Sequence, residues 1–180
     1  MAVREIIFVG DDRLRQKAKK VKSFGPHLQK LAQDMLETMR DAPGVGLAGP
    51  QIGVMQRIFV AEIPAEEEDD PNAGKTFVMV NPEIVKVSEE MEEGQEGCLS
   101  IPGYAGLVDR HVAIQIKARD EHGKPFKLTV EGFLARIFQH ENDHLDGVLF
   151  IDHITDKEKL WKLPPPEEME EAEETEQTPV

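Results

Sequence analysis

The sequence predicts an α+β domain, a mostly antiparallel sheet packed around a helix that carries the pattern H-E-x-x-H. Three observations predict it. Residues 27–40 (HLQKLAQDMLETMR) have helical periodicity, residues from about 57 to 130 turn to short β-branched runs, and the helical period returns from about 130 to 145. The strands fall in one block between two helices rather than alternating with helices. That excludes a parallel dinucleotide-binding sheet.

In the first helix, Leu28, Leu31, Met35, Leu36 and Met39 fall three and four apart, after Gly25-Pro26 and before Pro43. Residues 42–53 (APGVGLAGPQIG) then hold four glycines and two prolines, which demands a tightly turned loop. It lacks the G-K-[ST] ending of a phosphate loop. It reads either as a plain connection or as a backbone surface against a substrate, with Gln51 offering an amide. The runs RIFVAEI, TFVMVNP, EIVKVSE, HVAIQIKARD and PFKLTVEG read as strands separated by Gly, Pro and Asn. In HVAIQIKA, Val112, Ile114 and Ile116 share one face, and EEGQEGCLSIPG adds a strand-like stretch around Cys98. In the second helix Phe133, Ile137, His140 and His144 form one stripe, with Leu134, Phe138, Glu141 and Leu145 beside it. A last short helix is expected over Asp156 to Lys162, stopped by prolines 164–166.

A chain of 180 residues is long enough for one well-buried domain, expected over 1–163, with an acidic surface loop at about 62–74 and an acidic tail at 164–180. The net charge of −14 is local: those two segments hold six and seven acids with no Lys or Arg, leaving 22 acids against 21 bases elsewhere. So even a balance offers no basic footprint for nucleic acid. No apolar run approaches the roughly 18 residues of a membrane span, and MAVREIIFVGDD is not a secretory signal. A lone Cys98 excludes an internal disulfide and fits a reducing compartment. The expectation is a cytoplasmic protein with neither DNA nor membrane as partner.

Residues 139–147 read QHENDHLDG. Residues four apart on a helix point the same way, so His140 and His144 can present two imidazoles to one ion, with Glu141 one residue round to act on a water. The plain alternative is a wet polar face. Against it, the stripe continues into Phe133 and Ile137, which places the histidines on the inward side, where unpaired polar groups are costly. A third ligand is needed. The extended pattern H-E-x-x-H-x-x-G-x-x-H holds as far as Gly147 and fails at Phe150. Glu158 lies downstream in a short charged stretch, so the ligand is expected upstream. His27, His111, His122 and His153 have no supporting motif. Cys98 does, because Gly94, Gly97 and Gly103 surround it and a thiolate binds transition metals strongly. Cys, His, His and a water would make an open tetrahedral site, the catalytic rather than the structural arrangement.

GVGLAGPQ (44–51), EGCLS (96–100) and QHENDHLDG (139–147) resemble, in order, the three motifs of the peptide deformylases: G-x-G-L-A-A-P-Q, E-G-C-L-S and Q-H-E-x-D-H-L-x-G. The resemblance runs from VREIIFVGDDRLR to about LFID at 149–152 and leaves both acidic segments outside. Gly49 stands where the family has a second alanine, a change expected to loosen the loop while keeping Gly46 and Gln51 in place. The resemblance implies removal of the N-formyl group from the initiator methionine of nascent polypeptides at the ribosome, with release of formate. It implies one divalent metal, held by Cys98, His140 and His144: ferrous iron first, with zinc, nickel or cobalt also suited. Glu141 would take the proton of the attacking water and deliver it to the leaving amine. The Leu99 N–H and the Gln51 amide would join the metal in holding the oxyanion. Val45, Phe133 and Ile137 would line an apolar pocket for the methionine side chain, and the peptide backbone would add beside Gly44, Val45 and Gly46. Glu96 and Arg110 would pair to brace the Cys98 strand.

Two rival classes share some of these residues. An H-E-x-x-H zinc endopeptidase would take its third ligand from downstream and make Cys98 dispensable. A peptide-binding protein without catalysis would have no use for Glu141 and Gln51 together.

Overall fold

The computed structural model describes residues 2–65 and 70–164. Residues 66–69 of the expected acidic loop and 165–180 of the expected tail lie outside the described residues.

An extended N-terminal segment with one 3₁₀ turn (Asp12–Arg15) leads into α1 (Pro26–Asp41). Proline suits the first turn of a helix because its missing N–H would have no partner there. Along α1, Leu28, Leu31, Met35 and Met39 are buried as their spacing requires, and so are Asp34 and Thr38. The glycine-rich loop holds a short strand, β1 (Gly46–Ala48), and a 3₁₀ turn (Gly49–Ile52). Next come β2 (Ile58–Glu62), β3 (Thr76–Val87), β4 (Met91–Cys98), β5 (Ile101–His111), β6 (Ala113–Arg119) and β7 (Pro125–Glu131). The chain then enters α2 (Gly132–Leu145), a 3₁₀ turn (Phe150–His153) and an edge strand, β8 (Leu160–Lys162).

Every pairing between these named strands is antiparallel, in a five-stranded sheet ordered β1-β2-β3-β6-β7 and a three-stranded sheet ordered β4-β5-β8. The larger sheet is sandwiched between the two helices. Side chains alternate faces along a strand. Thus Phe59 and Ala61 of β2 pack with Leu134, Ile137 and Phe138 of α2, while Ile58 and Val60 pack with Leu28, Met35 and Met39 of α1. Two-sided burial explains why RIFVAEI reads as a nearly continuous apolar run. A smaller cluster of Ile101, Val108, Leu149 and Phe150 packs the second sheet against the 3₁₀ turn that follows α2.

Three expectations change in detail. TFVMVNP and EIVKVSE form one strand, β3, with a register shift between Val80 and Glu83. Asn81 causes the kink: it takes a left-handed φ of 51° while its side chain bonds both the N–H and the C=O of Val21. Val112 lies between β5 and β6, so the buried face of β6 is Ile114, Ile116 and Ala118. The helix expected over Asp156 to Lys162 is instead a 3₁₀ turn (Lys157–Lys159) and β8, because Leu160 to Lys162 complete the open edge of β5.

Candidate metal and catalytic site

The helix brings His140 and His144 onto one face, their ring centroids 5.0 Å apart. Opposite them β4 ends in a register shift between Gly97 and Cys98, where the chain turns back through Ile101. That turn puts Cys98 Sγ 3.3 Å from His144 Nε2. The donor atoms of Cys98, His140 and His144 all lie within 4.8 Å of one another, the one such group of three among the described residues. Metal bonds of about 2.3 Å to sulfur and 2.0 Å to nitrogen, at tetrahedral angles, separate those atoms by about 3.5 Å. The donor set fits a transition metal in chemistry, and the 3.3 Å between Cys98 Sγ and His144 Nε2 fits it in spacing. Burial, reinforced by the neighbouring His140 ring, pushes His144 well below its ordinary pKa, so it presents a neutral nitrogen.

Phe150, the residue that interrupts the extended motif, is buried and stacks on the His140 ring, centroids 6.2 Å apart and planes at 23°. A wall stands where a downstream ligand would be. Glu158 is exposed and belongs to no ligand group among the described residues.

Behind the histidines sits a buried carboxylate, Glu96. Arg110 grips it with two hydrogen bonds of 2.8 and 3.0 Å, Arg136 adds one of 3.0 Å, and His140 Nδ1 meets its Oε2 at 2.9 Å. Burial opposes the charge, but Arg110 and His140 outweigh it and hold the Glu96 carboxyl well below the usual range. A carboxylate at Nδ1 makes that nitrogen the donor and leaves Nε2 free to ligate. Arg110 also reaches Asp143 at 2.6 Å.

Glu141 lies one residue round the helix, buried, with no hydrogen-bond partner at Oε2. Burial pushes its carboxyl up to about 7 against the pull of His140, with Glu96 and Asp143 adding to the rise. The loop makes room for it. A Cβ at Gly46 would overlap Glu141 Oε1, so β1 approaches the carboxylate as only glycine allows. Gln51 is held from one end: its Oε1 accepts from the Ala48 N–H at 2.8 Å. The amide nitrogen therefore faces the site, 3.5 Å from Cys98 Sγ and 3.3 Å from Ser100 Oγ. The loop is not loosened at Gly49. A Cβ there would meet the carbonyl oxygens of Val54 and Gln56 at 2.8 and 2.9 Å, so the absence of a side chain lets the turn close tightly.

A cleft of about 370 Å³ opens over these groups. Gly44, Val45 and Gly46 form one side, Ile137 and the half-exposed Phe133 another, and Leu99 packs against Gly44. β1 is an outer strand of its sheet, so its free edge borders the cleft.

The eleven residues expected to ligate the metal, act on the substrate or line its pocket gather here, with the expected Glu96–Arg110 pair behind them. Sequence reasoning missed Arg136, Tyr104 and Leu163, which complete the walls or support the site, and gave no role to Ser100, the last residue of EGCLS, which meets the Gln51 amide. Only Arg136 left a signal, a charged residue inside the apolar run FLARIF. The other histidines stay outside: His111 bonds Ser88 O at 2.7 Å, His122 meets Gln29 at 3.0 Å, His153 meets Asp143 at 2.8 Å, and His27 is exposed.

Comparisons with known proteins show the family. The family model described as Polypeptide deformylase matches residues 3–160. A peptide deformylase of Thermomicrobium roseum is 46% identical over 168 residues, covering 93% of this chain and 95% of that protein. The crystal structure of peptide deformylase from Thermotoga maritima superposes with a TM-score of 0.79 at 38% identity, covering 87% of this chain and all of that one. A Met-Ala-Ser-bound class I type b peptide deformylase from Acinetobacter baumannii gives 0.79 at 37% identity, covering 84% and 98% of the two chains.

Proposed function

The chain belongs to the peptide deformylase family, enzymes that remove the N-formyl group from newly made polypeptides, and we propose that it does so with Cys98, His140 and His144 as metal ligands and Glu141 as the proton carrier. The observation that carries the assignment is the meeting of Cys98 Sγ with His144 Nε2 at 3.3 Å beneath the cleft. It supplies the upstream ligand that the H-E-x-x-H helix lacks. An endopeptidase of the extended motif would need its third ligand at position 150, where Phe150 stacks on His140 instead.

When bound, the metal supplies a Lewis acid that polarises the formyl carbonyl and acidifies water. Ferrous iron is our choice for the native ion, and zinc, nickel and cobalt suit the same donors. The rest of the work belongs to the side chains. Glu141 Oε2 takes the proton of the water that attacks the formyl carbon and returns it to the amine as the C–N bond breaks. The Gln51 amide and the Leu99 N–H donate to the oxygen as negative charge builds on it. Glu96 keeps His140 in the tautomer that can ligate.

For the substrate, we carry over the Met-Ala-Ser occupancy of the Acinetobacter relative. The methionine side chain enters between Val45, Phe133 and Ile137, and the peptide runs along the β1 edge at Gly44 to Gly46. Main-chain pairing of that kind ignores downstream side chains, as an enzyme for many polypeptides requires. The substrate and the lone thiol both fit the cytoplasm.

The test is anaerobic purification, metal analysis, and a formate-release assay on formyl-Met-Ala-Ser, with Cys98→Ala alongside. We expect formate from the parent protein and neither metal nor formate from the variant. Metal-loaded protein that releases no formate, or Cys98→Ala that keeps its metal, would overturn the reading.

A further inference from the structure

Residues 13–33 carry seven Lys or Arg and no Asp or Glu, an excess that the near-even balance of the folded body conceals. The fold gathers much of it in one place. Arg4, Lys19, Lys20, Lys22 and Lys30 line a cleft of about 700 Å³, together with His27, and no acid among the described residues lines it. Asp34 lies buried beneath and pairs with Arg4 and Lys30, offsetting one of the five positive charges. Lys19, Lys20 and Lys22 are exposed and make no ion pair among the described residues.

These lysines are mounted on a fixed rail. Ala18 just before them and Val21 among them are buried in the core. The Ala18 N–H donates to Leu145 O, the Lys19 N–H donates to Met55 O, and Lys19 O accepts from the Arg57 N–H. Asn81 clamps Val21 from both sides. The backbone is held at Ala18, Lys19 and Val21, which fixes the course of the segment that carries the three lysines. Nothing in deformylation uses them, because none of these residues lines the catalytic cleft.

We propose that this cleft is a docking surface for the phosphodiester backbone of RNA, separate from the catalytic cleft. A row of cations beside a groove, without interleaved acids, is the electrostatic footprint of a phosphate backbone. Whole-chain composition argued against such a footprint, and the local arrangement reverses that reading for this face. The choice of RNA over an acidic peptide rests on the deformylase reading, since a newly made polypeptide emerges while still tethered to RNA. The cleft itself does not depend on that reading.

The experiment is an anisotropy titration of the full chain against a labelled, mixed-sequence single-stranded RNA of about 20 nucleotides at increasing salt. Binding should weaken with a log–log slope of about −2 to −3, as expected for three or four neutralised phosphates at roughly −0.7 each. The exposed triple variant Lys19→Gln/Lys20→Gln/Lys22→Gln should bind at least about tenfold more weakly and with a slope shallower by about 2, while its Tm and its formate release match the parent. Absence of binding at low salt overturns the proposal, as does an unchanged affinity and slope in the triple variant. Displacement of the RNA by polyglutamate at equal or lower charge concentration also overturns it, in favour of an acidic peptide. Binding that appears only after deletion of residues 165–180 would assign the cleft to the chain's own acidic segment instead. A parent protein that binds RNA but releases no formate would support the surface while sinking the deformylase reading.

Discussion

His140 Nδ1 lies 2.9 Å from Glu96 Oε2, so a carboxylate rooted in β4 sets the orientation of an imidazole rooted in α2. The pair joins the two motifs from behind, as Cys98 and His144 join them in front. Glu96→Gln keeps the shape but loses the charge that holds Nδ1 as a donor. Metal affinity, read by competition with a chelator, is expected to fall about 10- to 100-fold. Unchanged affinity would mean that His140 needs no such support.

Gly46 is expected to be intolerant of the smallest addition, because a Cβ there would occupy the space of Glu141 Oε1. Gly46→Ala should lower kcat about as far as Glu141→Gln does, on the order of 10²- to 10⁴-fold for a lost proton carrier, with metal content intact. An active Gly46→Ala enzyme would show that the Glu141 carboxylate works from another position.

Gln51 has its carbonyl end fastened to the Ala48 N–H and its amide aimed at the site. Gln51→Ala should cost about 100- to 1,000-fold in kcat, the usual loss for one oxyanion donor. The metal should stay bound, since Gln51 is not a ligand. Near-parental turnover would remove Gln51 from the mechanism.

Asp34 links acid sensitivity to the fold rather than to catalysis. Burial opposes its charge, but hydrogen bonds from Arg4, Lys30 and the Ala2 N–H outweigh it and lower its carboxyl from 3.8 to about 2. The folded value lies below the unfolded one, so the group stabilises the fold fully above about pH 4 and loses that contribution as pH falls toward 2. Asp34→Asn should therefore be less stable at pH 7 and show a flatter decline in urea midpoint between pH 4 and 2. Parallel acid limbs for the two proteins would refute the linkage.

Much of the site was legible because its chemistry is written in short motifs. The i, i+4 spacing of His140 and His144 is a property of any helix, and the failure of the extended motif at Phe150 pointed upstream. Gly46 and Gln51 announced themselves through an unusual loop composition. Tyr104 and Leu163 gave no such sign. Their types are ordinary, and β8 carries Leu163 to the cleft only by pairing with an edge of β5 far away in sequence.

The sequence by itself determined the elements and the reactive side chains, since helical and strand periods and ligand chemistry are local properties. It could not determine distances between segments. Tertiary structure decided that a strand ending at Cys98 meets His144, 46 residues further on, that Glu96 lies behind His140, and that the turn closes tightly at Gly49. It also decided where charge collects: a count over the folded body cancels to near zero, but lysines pinned along one rail do not cancel in space.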